Sequence, residues 1–239
     1  MTIAVMQRYE MKYLLTPQQT AYLREQLKGH MDIDEYGLTT IASIYYDTPN
    51  CRLIRSSIDG SDYKEKIRLR SYGVATSDSP VYLELKRKAN GIVYKRRVET
   101  TIPSAEDFFS ADGTVPDSSQ IASEILFFRD YYHDLSPTCV IIYDRTAYYQ
   151  PDGDLRLTID ENPRYRTNDL SLTGSMEGTS LLKPGWTILE VKIQDSMPLW
   201  LSEILSKGRI YKGSFSKYGE VFRLQAASLI NRKDVKTHV

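Results

Sequence analysis

Residues 61–100 hold ten basic side chains, Lys64, Lys66, Arg68, Arg70, Lys86, Arg87, Lys88, Lys95, Arg96 and Arg97, against five acidic ones, Asp62, Glu65, Asp78, Glu84 and Glu99. Their spacing says more than their number. Side chains two apart on a strand share a face, so Lys64, Lys66, Arg68 and Arg70 line one face of a strand whose other face carries Ile67 and Leu69. Glu84, Lys86 and Lys88 oppose Leu83 and Leu85 in the next segment, and Lys95, Arg97 and Glu99 oppose Tyr94 and Val98 in the one after. The same alternation sets Arg156, Thr158 and Asp160 against Leu155, Leu157 and Ile159, and Glu190 and Lys192 against Leu189 and Val191. Near the start, Arg8, Glu10 and Lys12 share a face flanked by Tyr9 and Tyr13. The chemistry such side chains do in numbers is anion binding. Arg forks match phosphate oxygens in pairs, Lys supplies point charges, and a carboxylate can hold a bridging divalent cation.

Two arrangements accommodate these faces. In the first, the charged faces are wet and the apolar faces form the core. In the second, the sheet closes with its apolar faces outward under helices, and the charged faces line a lumen. Four consecutive same-face cations at 64–70 repel one another unless an anion sits among them. A wet antiparallel face more often mixes Thr, Ser, Gln and both charge signs. The summed pattern therefore favours the lumen, and dry unpaired charges there would cost several kcal/mol each. A polyanion with many phosphate oxygens, a divalent cation and water must then complete the site. Lys64 and Lys66 belong either at the mouth of such a lumen or at its centre, and Asp160 is either a second metal ligand or an ion-pair partner of Arg156.

The elements that would position these residues are mostly strands, as 18 Tyr beside 6 Phe and 2 Trp suggest. Strands are expected at 5–15, 39–47, 62–72, 80–89, 92–102, 138–149, 153–161 and 185–194. Thr16-Pro17 supplies a cap and a first-turn proline for a helix to about Lys28, ended by Gly29. A short helix is expected at 51–57, and Asn90-Gly91 marks a hairpin. Helices at 103–110 and 117–133 read as an insertion on the sheet, and residues 162–184 as a polar connection with room for one more short strand. A helix near 197–206, a Lys-containing loop at 207–216 and a helix at about 216–230 close the chain. Ser216 and Lys217 stand where that last helix begins, so its free N–H groups add to anion binding. Residues 1–230 read as one domain and 231–239 as a polar tail.

Composition limits the alternatives. With Lys+Arg 31 against Asp+Glu 31 the chain is neutral overall, so any polyanion site is local. Cys51 and Cys139 fit neither a disulfide framework nor a zinc pair, which suits a reducing, cytoplasmic setting. His30, His133 and His238 are not grouped with Cys or with one another, which argues against zinc or nucleophilic chemistry. No apolar run approaches a membrane span and the start lacks a leader pattern, so the chain is expected to be neither embedded nor secreted. Single-stranded nucleic acid is disfavoured as a partner, because Tyr63 and Tyr94 alternate out of phase with the cations. The aromatic stretch 127–132 reads as helix packing.

Seven short motifs occur in order: Glu10-Met11-Lys12, Lys66-Ile67-Arg68-Leu69-Arg70, Glu84-Leu85-Lys86, Tyr143-Asp144-Arg145, Arg156-Leu157-Thr158-Ile159-Asp160, Ile188-Leu189-Glu190-Val191-Lys192 and Ser216-Lys217-Tyr218. Together they resemble VTC domains, the polyphosphate polymerase domains of the triphosphate tunnel metalloenzyme superfamily, which also holds CYTH-type triphosphatases and adenylyl cyclases. The resemblance runs from about Arg8 to Leu229. It implies an α+β fold, an eight-stranded antiparallel tunnel with helices packed outside, a Mn or Mg ion, and ATP and inorganic polyphosphate as partners. It implies phosphate ligands at Lys12, Arg68, Arg70, Lys86, Lys95, Arg145 and Lys217, joined by Arg97, Arg156, Lys192 and Ser216. Glu190 is implied as the metal ligand, with Glu10 and Asp160 as further candidates, and Arg68, Arg70, Lys86, Glu190 and Lys217 as the catalytic set. The implied activity is transfer of the γ-phosphoryl of ATP onto a growing chain. Hydrolysis of tripolyphosphate or nucleoside triphosphate and non-catalytic polyphosphate sensing are the alternatives. Arg8 stands where the superfamily's hydrolases often carry a first acidic residue, which fits the VTC branch. A membrane partner is a family-based expectation, and the oligomeric state is not legible.

Overall fold

A computed structural model describes residues 9–90, 92–110, 113–114 and 118–236, the last nine as backbone only. In chain order its elements are β1 (Tyr9–Leu15), α1 (Pro17–Leu27), β2 (Asp32–Asp47), α2 (Arg52–Ile58), β3 (Tyr63–Tyr72), β4 (Val81–Ala89), β5 (Ile92–Thr100), α3 (Ile102–Phe108), α4 (Gln120–Tyr132), β6 (Ser136–Tyr149), β7 (Arg156–Arg166), β8 (Thr179–Ser180), β9 (Thr187–Ile193), α5 (Leu199–Lys207), β10 (Lys212–Gly213) and α6 (Lys217–Lys236). The fold is α+β and antiparallel. Eight of the strands are seven residues or longer, and β8 and β10 are two-residue additions. The chain divides into two compact units, and the division falls inside β2, inside β6 and inside β7.

The first unit comprises Met1–Ile41, Ile142–Arg164 and Leu182–Phe215. Its strands follow the order β10-β1-β9-β7-β6-β2. The β1–β9 register pairs Lys12 with Glu190 and Glu10 with Lys192. The β7–β9 register pairs Thr158 with Glu190 and Arg156 with Lys192. Paired residues share a face, so the charged positions converge while their alternates pack into one core. Leu15, Leu157, Ile159, Leu189 and Val191 meet Leu23 and Leu27 of α1 and Leu201 of α5, all at most 1% exposed. The helix α1 starts as its sequence dictates. Thr16 Oγ1 accepts from the Gln19 amide and Gln19 Oε1 accepts from the Thr16 amide, a reciprocal capping box with Pro17 behind it.

The second unit comprises Ala42–Ile141, Tyr165–Leu181 and Ser216–Val239. Its strand order is β6-β2-β3-β4-β5, with β8 on β7. The β3–β4–β5 ladder sets Arg68 opposite Glu84 opposite Arg97, and Lys66 opposite Lys86 opposite Lys95. Ile67, Leu69, Leu83, Leu85 and Val98 are buried on the other face, and α4 packs against β5. The helices α3 and α4 are capped by Thr101 and Ser119, whose side chains accept from Ser104 and Ala122. The Arg129 guanidinium donates to the carbonyls of Phe108 and Gly113, tying the helical insertion together. Asp47, at the end of β2, is fully buried. It accepts from the amides of Thr48, Leu53 and Ile54, which caps α2, and from the Tyr218 hydroxyl of α6 at 3.0 Å.

Several boundaries differ from the sequence expectation. The strand β2 begins at Asp32, seven residues early. Both faces are exposed there, with Ile33, Tyr36 and Leu38 more than half open, so no alternation marks it. The strand β7 continues past Asn162, which takes a positive φ of 46°, to Arg166. Arg166 then gathers the following loop by donating to the carbonyls of Asp169, Ser171 and Ser175. The expected short strand in 162–184 is β8. At the hairpin between β4 and β5, Asn90 has φ 49°, the left-handed conformation its position requires. Its partner Gly91 lies outside the described residues, as does Arg8.

Candidate functional site

Glu84 is the centre of the charged face in the second unit. It is 2% exposed and four cations surround it. Arg68 forks onto Glu84 Oε2 through Nε at 2.9 Å and Nη2 at 2.8 Å. Lys95 Nζ lies 2.8 Å from Oε1, Arg70 Nη2 3.5 Å from Oε2 and Arg97 Nε 3.8 Å from Oε1. Burial alone would push the Glu84 carboxyl up, but Arg68 and Lys95 outweigh it and hold it below its ordinary value. Arg68 also donates to the Tyr45 hydroxyl at 2.9 Å. The Tyr45 ring stacks on Tyr218 at 4.6 Å, so Arg68 is braced from the β2 side as well. Arg70 is itself only 6% exposed, and its Nε is buried without a hydrogen-bond partner. A buried guanidinium with an idle N–H is costly unless an anion reaches it.

Ser216 stands before α6 and spends its hydroxyl on two contacts, accepting from Lys66 Nζ at 3.1 Å and from the Gly219 amide at 3.1 Å. Lys217 opens the helix, and Tyr218 is the residue held by Asp47. The structure therefore brings Arg68, Arg70, Lys95 and Arg97 together around one carboxylate and ties Ser216 to Lys66. Lys86 lies in register between Lys66 and Lys95 on the same face, with its side chain exposed.

Glu190 is the corresponding centre of the first unit, 8% exposed. Lys12 Nζ sits 3.0 Å from Glu190 Oε1 and 3.4 Å from Glu10 Oε1, bridging two carboxylates. Arg145 Nη2 and Lys192 Nζ approach Glu190 Oε2 at 3.7 and 3.8 Å. Burial would lower the Lys12 ammonium, but Glu190 and Glu10 hold it above the usual lysine value. Arg145 forks onto Asp160 at 2.6 and 2.8 Å, and Asp160 is fully buried. Burial would lower the Arg145 guanidinium, whereas Tyr143, Asp160 and Glu190 raise it well above its ordinary value. Asp160 is thus paired with Arg145 and not with Arg156. Arg156 lies exposed and turned toward the Gln150–Gly153 turn, where it donates to the carbonyls of Leu155 and Gly153 and covers the Tyr149 ring.

Glu10 and Glu190 are the carboxylates of this unit that could hold a divalent cation. The oxygen donors of Glu10 and Glu190 suit Mg or Mn, and the Lys12 ammonium marks a point where they already accept positive charge. Both Asp160 oxygens are engaged by Arg145, which leaves that carboxylate poorly placed to ligate. Among the described residues no group of three or more His, Cys, Asp or Glu forms a ready cage.

Three residues escaped the sequence reading as site members. Glu84 occurs in a quoted motif, but only its distances make it the hub. Thr158 shares a charged face with Arg156 and Asp160, yet its hydroxyl is buried without a partner at the position paired with Glu190. Tyr45 sits in the second half of β2, which is buried on both faces, so no alternation signals its hydroxyl.

The VTC domain family model matches residues 7–224. The chain belongs to the VTC domain family. Solved structures agree in fold. A candidate adenylyl cyclase from Hippeastrum, described as having a dominant triphosphatase activity, is 17% identical over 92% of this chain and 96% of that one, with a TM-score of 0.52. A candidate adenylate cyclase from Bacillus halodurans is 14% identical over 88% of this chain and 96% of that one, with a TM-score of 0.53. No curated protein matches the sequence significantly. Within this VTC domain, no helix among the described residues is long and apolar enough to cross a membrane.

Proposed function

We propose that this VTC domain is a metal-dependent phosphotransferase acting on a triphosphate, and that its reaction is synthesis of inorganic polyphosphate from ATP. The observation that carries the reading is the surplus of cations around Glu84, with Arg70 buried and its Nε idle. One carboxylate does not neutralise four cations, and that surplus supports an added polyanion on this face. Family membership supports a triphosphate-acting enzyme.

In this account a terminal oxygen of the polyphosphate chain attacks the γ-phosphorus of ATP, the bond from that phosphorus to the β–γ bridging oxygen breaks, and ADP leaves. The transition state is loose and spreads charge over the equatorial oxygens, so positioning and positive charge do most of the catalysis. Arg68 and Arg70 supply forks for pairs of oxygens, and Lys86 and Lys95 add point charges one row away. In the first unit, Lys12, Arg145 and Lys192 offer the same chemistry around Glu190. Glu190 and Glu10 would hold a Mg or Mn ion, which when bound neutralises charge on the transferring group. Two free cysteines, Cys51 and Cys139, the latter buried, suit a reducing cytoplasm.

A second reading is hydrolysis, favoured by the triphosphatase activity described for the Hippeastrum relative. The deciding experiment incubates pure protein with ATP, Mn or Mg and a short polyphosphate primer, then resolves the products by gel and measures free phosphate. Chain growth supports the polymerase. Phosphate release without growth supports the hydrolase, and neither product leaves a polyphosphate-binding sensor.

A further inference from the structure

The charged face of the second unit also carries rings. On β3, Tyr72 follows Lys66, Arg68 and Arg70 at two-residue steps. On β4, Tyr82 precedes Glu84 and Lys86 and is in register with Arg70 on one side and Glu99 on the other. Both rings are therefore in phase with the cations, unlike Tyr63 and Tyr94. They meet edge to face with centroids 5.7 Å apart.

Arg97 joins them. Its guanidinium lies 3.5 Å from the Tyr82 ring centroid and 5.7 Å from that of Tyr72. Its contact with Glu84 is the longest of the four cations'. Arg97 is thus laid on an aromatic face at the edge of the cation cluster, with its side chain 34% exposed. Tyr72 is 46% exposed. The core takes nothing from this arrangement, because Leu69, Leu83 and Val98 are buried on the opposite face.

An inorganic phosphate chain has no flat group to lay against such a surface. A nucleobase does, since guanidinium planes and aromatic rings are the groups on which bases stack. The spacing also fits. Adjacent rows of the face are two residues apart, about 6.6 Å, the reach of a ribose between a base and its first phosphate.

We propose that Tyr72, Tyr82 and Arg97 form the nucleobase platform of the site, stacking the base of a nucleoside triphosphate whose phosphates are held by Arg68, Arg70 and Lys95. The inference rests on the phosphate reading of the Glu84 cluster and adds where the base of the nucleotide donor is held, with purines preferred for their larger rings. Arg97 then acts mainly as a stacking plane and not as a phosphate ligand.

The test is calorimetric titration with ATP, CTP and tripolyphosphate, in chelator so that nothing turns over, of wild type, Tyr72→Ala and Arg97→Lys. Tyr72 is half exposed, so its truncation spares the fold, and Arg97→Lys keeps the charge while removing the plane. Tyr72→Ala should lose about fivefold or more in ATP affinity, keep tripolyphosphate affinity within about twofold, and narrow the gap between ATP and CTP, and Arg97→Lys should lose more affinity for ATP than for tripolyphosphate. Equal losses for ATP and tripolyphosphate, or unchanged ATP binding, would overturn the platform while leaving the phosphate site standing. Wild type that binds no tripolyphosphate would overturn the phosphate reading itself. ATP binding that still depended on Tyr72 in that case would keep the platform, and absence of ATP binding would remove both.

Discussion

Glu84 in the second unit and Glu190 in the first are both buried carboxylates on strand faces, both ringed by Lys and Arg, and they differ in the charge of their surroundings. Glu84 stands alone against Arg68, Arg70, Lys95 and Arg97. Around Glu190, the cations Lys12, Arg145 and Lys192 are matched by Glu190, Glu10 and Asp160. Neither glutamate by itself separates the two, because each is within ion-pair distance of several cations. The neighbourhood separates them. A surplus of cations asks for an anion, whereas balanced charge with two carboxylates on one ammonium can exchange or share a cation. In the proposed reaction the same residue type thus serves as the internal counter-ion of an anion site in one unit and as a metal-ligand candidate in the other.

The largest effect expected from this difference is on stability. Removing one partner of a buried charge cluster costs about 3–5 kcal/mol when the remaining charges are left uncompensated. Glu84→Gln leaves four cations with no carboxylate, so it should lose about 3 kcal/mol in urea unfolding without polyanion, and tripolyphosphate should restore much of that loss. Glu190→Gln leaves Glu10 and Asp160 in place and should lose about 1 kcal/mol. Equal losses in the two variants, or no rescue by tripolyphosphate, would erase the distinction.

Turnover should reverse the ranking. Glu190→Gln keeps size and hydrogen bonding but removes the charge that would hold a divalent ion, so metal-dependent product formation should fall about a hundredfold or more while tripolyphosphate still binds. A variant as active as wild type would move the metal away from Glu190.

The charge faces were legible in the sequence because period-two alternation is a local property, and it holds through β3, β4, β5, β7 and β9. What the faces do to one another was not legible. From the sequence Asp160 reads as either a second metal ligand or an ion-pair partner of Arg156 on its own strand, yet its partner Arg145 stands on β6, and the order β9-β7-β6 is a product of the fold. The first half of β2 has no buried face and so no period to read. Arg156 is in phase with Asp160 but turns back onto its own hairpin, which only side-chain geometry reveals.

A smaller effect separates the two centres by pH. The folded-state pKa of Glu84 is depressed, so its stabilising contribution is present above the ordinary carboxylate value of about 4.3 and is lost as pH falls through the lower folded value. The Lys12 pKa is raised, so its contribution is present below the ordinary lysine value of about 10.4 and is lost as pH rises through the higher folded one. Urea unfolding across pH should show Glu84→Gln flattening the acid limb and Lys12→Gln the alkaline limb. Both variants altering the same limb would contradict the assignment.

The central claim, that the cation surplus around Glu84 is a polyanion site, is tested most directly by calorimetric titration of tripolyphosphate into wild type, Arg70→Ala and Arg156→Ala. Arg70 is buried with an idle Nε, and Arg156 is an equally charged strand residue engaged with its own turn. Loss of a charge-assisted contact is worth about 1.5–3 kcal/mol, so Arg70→Ala should bind about tenfold or more weakly while Arg156→Ala stays within about twofold of wild type. Unchanged affinity in Arg70→Ala, or equal losses in both variants, would contradict the account.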